Sequence, residues 1–126
     1  MRPYQGIMLL LALLVLGCSA GIDQEMLLGK WKAALLMDRT EKSGIDLSAV
    51  QFEFKANKTY SYQSNLKYKE AGRYSTLGKT LYSTDTTVVD QKEKAVKIIR
   101  LSADSLFLEM NNNGTPQLLK LYKVNK

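Results

Sequence analysis

Residues 50–62 read Val-Gln-Phe-Glu-Phe-Lys-Ala-Asn-Lys-Thr-Tyr-Ser-Tyr. Phe52 and Phe54 alternate with polar residues in the first half, and Tyr60 and Tyr62 do so in the second. A period of two places such side chains on one face of a β-strand. The Ala-Asn-Lys sequence between the two runs is typical of a tight turn, in which Asn tolerates a left-handed backbone. The segment therefore predicts a β-hairpin with one aromatic face.

The same alternation continues on both sides of this hairpin, with turn signals every eight to twelve residues or so. Asp23 precedes a short run of helix formers and predicts one helical turn with Asp23 as its N-cap. The segment Asp38–Ser48 is polar and shows no strand pattern, so we expect an open loop or lid there. Strands are predicted near residues 28–36, 50–55, 59–64, 70–76, 80–84, 86–90, 95–101, 105–110 and 117–124.

Eight or nine short strands in one small domain need a sheet without free edges, because unpaired edges invite aggregation. The sequence thus predicts an all-β fold. It consists of an antiparallel meander that closes into an eight- or nine-stranded β-barrel, with a short N-terminal helical turn.

The N-terminal segment has the pattern of a signal peptide. Arg2 precedes an apolar run at residues 7–16, which is shorter than the roughly 20 residues of a membrane span. Val15-Leu16-Gly17-Cys18 resembles the lipobox of bacterial lipoproteins. That resemblance implies a diacylglyceryl group on the sulfur of Cys18, cleavage after Gly17 and acylation of the new amino terminus. The alternative is an ordinary secretory peptide with an incidental cysteine.

The lipobox divides the chain into a cleaved signal peptide (1–17), a lipidated N-terminus and tether (18–26) and the barrel domain (27–126). Ser19, rather than an aspartate, follows Cys18. In this the sequence resembles lipoproteins that are sorted to the outer membrane, since an aspartate there would favour retention in the inner membrane. We therefore expect a lipoprotein of the bacterial cell envelope, held in the outer membrane through Cys18. Whether it faces the periplasm or the exterior is left open by these residues.

The composition excludes most catalytic chemistry. The chain of 126 residues contains no histidine, and Cys18 is its single cysteine. Zinc sites, Ser–His and Cys–His nucleophile pairs and histidine acid–base catalysis are therefore not available. The acidic residues form no close cluster, and we expect them at turns and on outward strand positions. We expect a non-catalytic protein without a metal or cofactor.

The net charge of +6 comes mainly from lysines spread along the predicted mature chain. No run of like charges resembles a nucleic-acid-binding tail, so nucleic acid is not an expected partner. The remaining candidate partners are the membrane, a small apolar ligand and another envelope protein.

An ordered set of motifs resembles the lipocalins. Leu28-Gly29-Lys30-Trp31 is similar to their Gly-x-Trp signature, and Phe52-x-Phe54 with Asn57-Lys58-Thr59-Tyr60 resembles a hairpin of bacterial lipocalin-like domains. Gly72-Arg73-Tyr74 and the run from Ile99 to Leu106 continue that order over residues 27–124. Together with the lipobox, the set resembles the small lipocalin-like lipoproteins of Bacteroidota. It implies a lipocalin-like barrel that is shorter than animal lipocalins and lacks their disulfide.

The inward face of this barrel decides between two functions. Its candidate residues either interlock as a packed core or line a cavity for a lipid or other apolar ligand. A void of about 300 Å³ or more would favour ligand binding, whereas a filled barrel would favour an interaction or inhibitor module acting through its loops and surface. Trp31 is predicted to plug one end of the barrel. The candidate lining residues are Phe52, Phe54, Tyr60, Tyr62, Tyr74, Leu106 and Leu108.

Overall fold

The computed structural model describes residues 21–38, 41–42, 44, 46–64, 67–112 and 114–124, excluding the side chains of Glu41 and Asn112. The predicted signal peptide and Cys18 lie outside these residues. The described part forms one short helix, α1 (Gln24–Leu27), and nine strands. The strands are β1 (Gly29–Asp38), β2 (Glu41–Lys42), β3 (Gln51–Phe54), β4 (Thr59–Gln63), β5 (Lys69–Leu77), β6 (Thr80–Asp85), β7 (Glu93–Leu101), β8 (Ser105–Asn112) and β9 (Thr115–Lys123).

The sheet closes into a barrel of eight antiparallel strands. Each strand from β3 to β8 pairs with the next, and β1 pairs with β3 on one side and with β9 on the other. Trp31 shows the closure directly, because it lies opposite Phe52 in β3 and Lys123 in β9. β2 is a two-residue extension paired with the end of β1. The predicted fold class, an all-β antiparallel meander closed into a barrel with a short helical turn, is confirmed.

The predicted N-terminal turn and the central hairpin both form. Asp23 caps α1, since its carboxylate accepts a hydrogen bond of 3.1 Å from the Glu25 amide. In the β3–β4 turn the left-handed residue is Lys58, with φ of 69°, and not Asn57 as predicted. The Asn57 side chain instead accepts hydrogen bonds from the amide (3.2 Å) and hydroxyl (2.5 Å) of Thr59, which fixes the start of β4.

The strand predicted at residues 86–90 is wrong, because this stretch is a turn and bend. The Asp85 carboxylate accepts hydrogen bonds from the amide (2.9 Å) and hydroxyl (2.5 Å) of Thr87. This local bond reverses the chain where the β-branched residues alone favour a strand. The loop predicted at Asp38–Ser48 also differs in part, since Glu41–Lys42 pairs with the end of β1.

Helix α1 covers one end of the barrel, which we call the closed end. Trp31 is fully buried there, and its indole Nε1 donates a 2.8 Å hydrogen bond to the Leu27 carbonyl. Lys123 Nζ lies 4.5 Å from the centre of the Trp31 ring and donates to the carbonyls of Met26 (3.1 Å) and Leu28 (2.5 Å). Burial lowers the pKa of Lys123. These contacts join α1, β1 and β9 into a sealed base.

The backbones of β5 and β6 approach very closely at Gly72. A Cβ built on this residue would lie 1.8 Å from the Thr84 carbonyl oxygen, so only glycine fits. Beside it, the Thr86 amide donates a 2.9 Å hydrogen bond to the Ala71 carbonyl. No helix formed by the described residues is long and apolar enough to cross a membrane.

Candidate ligand cavity

The barrel interior contains a cavity of about 660 Å³. It lies toward the end of the barrel opposite α1. The segment Asp46–Val50 and the first residues of β5 and β7 meet there. We call this end the mouth. Most of the wall is aliphatic or aromatic, and its members are Leu36, Leu47, Ala49, Val50, Phe52, Phe54, Tyr60, Tyr62, Leu81, Val96, Leu108, Met110 and Leu119. The polar members are Asp46, Ser48, Ser64, Glu70, Ser83 and Lys94.

Five of the seven candidate lining residues line this cavity, namely Phe52, Phe54, Tyr60, Tyr62 and Leu108. The other two belong to the packed core. Tyr74 is buried with its hydroxyl donating a 2.9 Å hydrogen bond to the Lys55 carbonyl, and Leu106 is fully buried. Trp31 lies at the closed end and not in the cavity wall. The interior is therefore packed near α1 and open near the mouth.

Aromatic rings hold one side of the cavity in a fixed arrangement. The rings of Phe52 and Phe54 stack with centroids 5.8 Å apart, and Phe52 meets Tyr62 at 4.6 Å. Phe54 continues into the core through an edge-to-face contact with Tyr74 at 5.1 Å. Every second residue of β3 and β4 faces inward, and the two strands are paired. The alternation in the sequence therefore places these aromatic rings side by side in one wall.

A buried carboxylate lies next to this aromatic wall, on β5, where Glu70 is the cross-strand partner of Tyr62. Glu70 is 7% exposed, and its Oε2 accepts a 2.6 Å hydrogen bond from the Tyr60 hydroxyl. Its Oε1 accepts a 2.7 Å bond from the Tyr68 hydroxyl and lies 3.8 Å from Lys94 Nζ. The expectation that carboxylates face outward is thus wrong for Glu70. The alternation of β5 already indicated this inward position, since Glu70 is in phase with Gly72 and Tyr74, which face inward.

The tyrosines of this cluster hold their protons firmly. Burial, followed by the hydrogen bond to Glu70, raises the pKa of Tyr60. The hydrogen bond to Glu70 raises the pKa of Tyr68 to about 12. Burial also raises the pKa of Tyr62. Near neutral pH these phenols therefore stay protonated, and Tyr60 and Tyr68 donate their protons to Glu70.

The mouth is bordered by a segment that is tied to the barrel. The Asp46 carboxylate accepts a 3.0 Å hydrogen bond from the Ser48 amide, and bonding to Ser48 lowers the pKa of Asp46. Val50 donates from its amide to the Leu47 carbonyl (3.0 Å) and accepts from the Ala33 amide (3.1 Å). Leu47 is packed against the core and lines the cavity. A ligand that enters here passes this segment.

The chemistry of the wall suits binding. Among the residues that the structure describes, no group of three or more His, Cys, Asp or Glu side chains could hold a metal ion. Aromatic and aliphatic groups dominate, with one carboxylate–tyrosine cluster to orient a polar atom. Small-molecule sites commonly have this composition.

Comparisons with known proteins support the fold. No protein-family model matches the sequence, and no curated protein matches it significantly. A lipocalin-like protein from Bacteroides uniformis has a similar crystal structure, with a TM-score of 0.61 and 21% sequence identity, covering 79% of this chain and 99% of that one. An uncharacterized protein from Bacteroides eggerthii has a TM-score of 0.56 and 14% identity, covering 75% and 98%. The barrel is therefore lipocalin-like in fold.

Proposed function

We propose that this protein is a non-catalytic lipoprotein of the cell envelope that binds a small apolar ligand in its barrel. The observation that carries the proposal is the cavity of about 660 Å³ behind the mouth. Ligand sites in proteins usually enclose about 300–1,000 Å³ and are mainly apolar with a few convergent polar groups. Both properties hold here, whereas a barrel filled by its own side chains would favour an interaction module.

The described geometry also supports anchoring at the closed end. Gly21 lies beside the β5–β6 turn, where a Cβ built on it would be 3.8 Å from the Gly78 carbonyl oxygen. This turn and α1 are at the closed end, and Cys18 precedes Gly21 by three residues. An acyl group on Cys18 would hold the closed end near the bilayer and leave the mouth facing away from it. A single fatty chain anchors weakly, so the proposed anchor carries several.

Octanol binding tests the cavity assignment. Calorimetric titration of octanol into the full chain in lipid nanodiscs, with empty nanodiscs as the blank, should show one saturable site. Val96→Phe places a ring in the cavity and should weaken binding at least about tenfold. Val89→Phe is the matched control, because Val89 is fully exposed on a loop. Equal binding by both variants would contradict the proposal.

The anchor has a separate test. In the native host, Cys18→Ser should prevent lipid transfer and leave an uncleaved precursor, while Ser19→Ala should be processed normally. Mass spectrometry of the wild-type protein should show the acyl groups on the peptide that begins at Cys18. A processed wild-type protein without lipid would overturn the anchoring proposal and leave the cavity proposal standing.

The second candidate function is protein interaction through the outer face of β8 and β9. Phe107 and Tyr122 meet edge to face at 6.4 Å, and Lys120 Nζ lies 4.9 Å from the centre of the Phe107 ring. Tyr122 is 44% exposed. Aromatic side chains beside basic ones are common at protein interfaces. A partner captured by wild-type protein but not by Tyr122→Ser, with octanol binding absent in both, would favour this function.

A further inference from the structure

The donors found among the described residues leave some hydrogen-bond acceptor positions of Glu70 unused beside the cavity. A carboxylate offers about four lone-pair positions. Tyr60 and Tyr68 each fill one, at 2.6 Å and 2.7 Å. Lys94 Nζ, at 3.8 Å from Oε1, is beyond hydrogen-bond distance. Since Glu70 is buried and lines the cavity, a ligand can supply the missing donor.

A tyrosine hydroxyl has one proton to donate, and both tyrosines bound to Glu70 have already used it. The hydroxyl protons of Tyr60 and Tyr68 are already directed to the carboxylate. These donors are therefore engaged within the cluster. A ligand group that reaches the Glu70 carboxylate therefore meets an acceptor and must itself donate.

The charges of the cavity point in the same direction. The chain as a whole carries a net charge of +6, yet in the part that the structure describes the charged lining residues are two acids, Asp46 and Glu70, and one base, Lys94. The Lys94 side chain is 64% exposed and so stays largely in water. Glu70 is desolvated, and a buried carboxylate repels a second anion strongly because the surroundings screen it poorly.

We infer that the natural ligand is an apolar molecule whose polar end is a hydrogen-bond donor, with a protonated amine favoured over a carboxylate, and that this end binds Glu70. The inference rests on the proposed function and specifies the class of ligand. The tail occupies the aromatic wall at Phe52 and Tyr62, and the donor end meets the carboxylate on β5. A fatty acid would place its carboxylate against Glu70 and is disfavoured.

A series of probes with one tail tests the head group. Octylammonium, octanol and octanoate are titrated into the full chain in nanodiscs, with empty nanodiscs as the blank. Octylammonium should bind at least about tenfold more tightly than octanoate, since hydrogen bonds between charged groups are the strong ones. Octanol, a neutral donor, should fall between them.

Variants assign this preference to Glu70. Glu70→Gln keeps the shape and removes the charge, and it should bring octylammonium and octanoate to within about threefold of each other. Glu109→Gln is the matched control, because it makes the same change on the exposed outer face of β8 and should keep the wild-type preference. Lys94→Met changes a largely exposed residue, so it will fold even if Glu70→Gln does not. It should strengthen octylammonium binding and weaken octanoate binding.

The outcomes separate the two proposals. Octanoate binding as tightly as octylammonium, or a preference that survives Glu70→Gln, would overturn the head-group inference while the cavity still binds octanol. An unchanged preference in Lys94→Met would also count against it. If none of the three probes binds, the proposed function itself is contradicted.

Discussion

At the scale of single residues, the barrel depends on a few positions with no alternative side chain. Gly72→Ala should destabilise the fold by at least about 2 kcal/mol, because the new methyl group would collide with the Thr84 carbonyl oxygen, part of the backbone. Urea unfolding followed by circular dichroism measures the change. Gly44→Ala is the control, since nothing lies within 4 Å of its Cβ, and its effect should stay within about 0.5 kcal/mol. Equal losses in both would contradict the close approach of β5 and β6.

Trp31 makes a second residue-scale prediction. Trp31→Ala should cost about 3–5 kcal/mol of unfolding free energy, as for other buried aromatic side chains. The change removes the ring beneath Lys123 and the hydrogen bond to the Leu27 carbonyl. Because the chain has a single tryptophan, the variant must be followed by circular dichroism. A loss below about 1 kcal/mol would show that the closed end is held by other contacts.

The Tyr60–Glu70 pair predicts a loss of stability at alkaline pH. Folding raises the pKa of Tyr60 above the value of about 10 in an unfolded chain, so the unfolded state releases this proton first. The stabilisation is complete below about pH 10 and declines as the pH rises further. Urea unfolding across that range should show a shallower decline for Tyr60→Phe. Tyr122→Phe, on the outer surface, should decline as steeply as the wild type. If the stability of Tyr60→Phe declined as steeply with pH as that of the wild type, the Tyr60–Glu70 pair would not be the cause of the decline.

At the scale of elements, the connection between β1 and β3, which includes residues 41–44 and the segment at the mouth, is the part whose role can be separated from folding. Replacing residues 41–44 with a short Gly-Ser link should change octanol affinity, since this shifts the neighbouring Leu47 and Ala49, which line the cavity. Stability should change by less than about 1 kcal/mol, because a twofold change in loop length alters closure entropy by only about 0.6 kcal/mol. Unfolding of the shortened protein would show that the segment is structural and does not gate the cavity.

The strands were predictable from sequence where the side chains alternate without competition. β3, β4 and β8 follow from their period of two. The period failed at residues 86–90, since Asp85 binds the backbone of Thr87 and turns the chain. Such local bonds depend on which side-chain conformer the fold selects, so residue type alone does not decide them.

The candidate site was predictable in part for a related reason. The aromatic wall follows from alternation, whereas the inward placement of Glu70 depends on partners that are distant in sequence. Tyr60 lies ten residues before Glu70, and Lys94 belongs to β7. A charged residue is buried only when such partners compensate for lost hydration. Extending the period of two in β5 back to Glu70 would have predicted that this side chain faces inward. Its partners follow only from the register of the strands.

At the scale of the whole molecule, the barrel is sealed by α1 at one end and hollow at the other. Closure of the sheet leaves the interior with two possible states, filled or able to hold a ligand. Here the residues near Trp31 and Leu106 are packed, and the cavity lies near the mouth. The net charge of the chain is +6, yet the buried carboxylate of Glu70 lies beside the apolar cavity.

Native mass spectrometry of the full protein, released gently from the envelope fraction of its host, tests the central claim most directly. We expect a species heavier than the lipidated chain by the mass of one small molecule, which collisional activation removes. Val96→Phe, purified in parallel, should lack this species, and Val89→Phe should retain it. A wild-type protein that carries no such molecule and also binds no octanol would contradict the account.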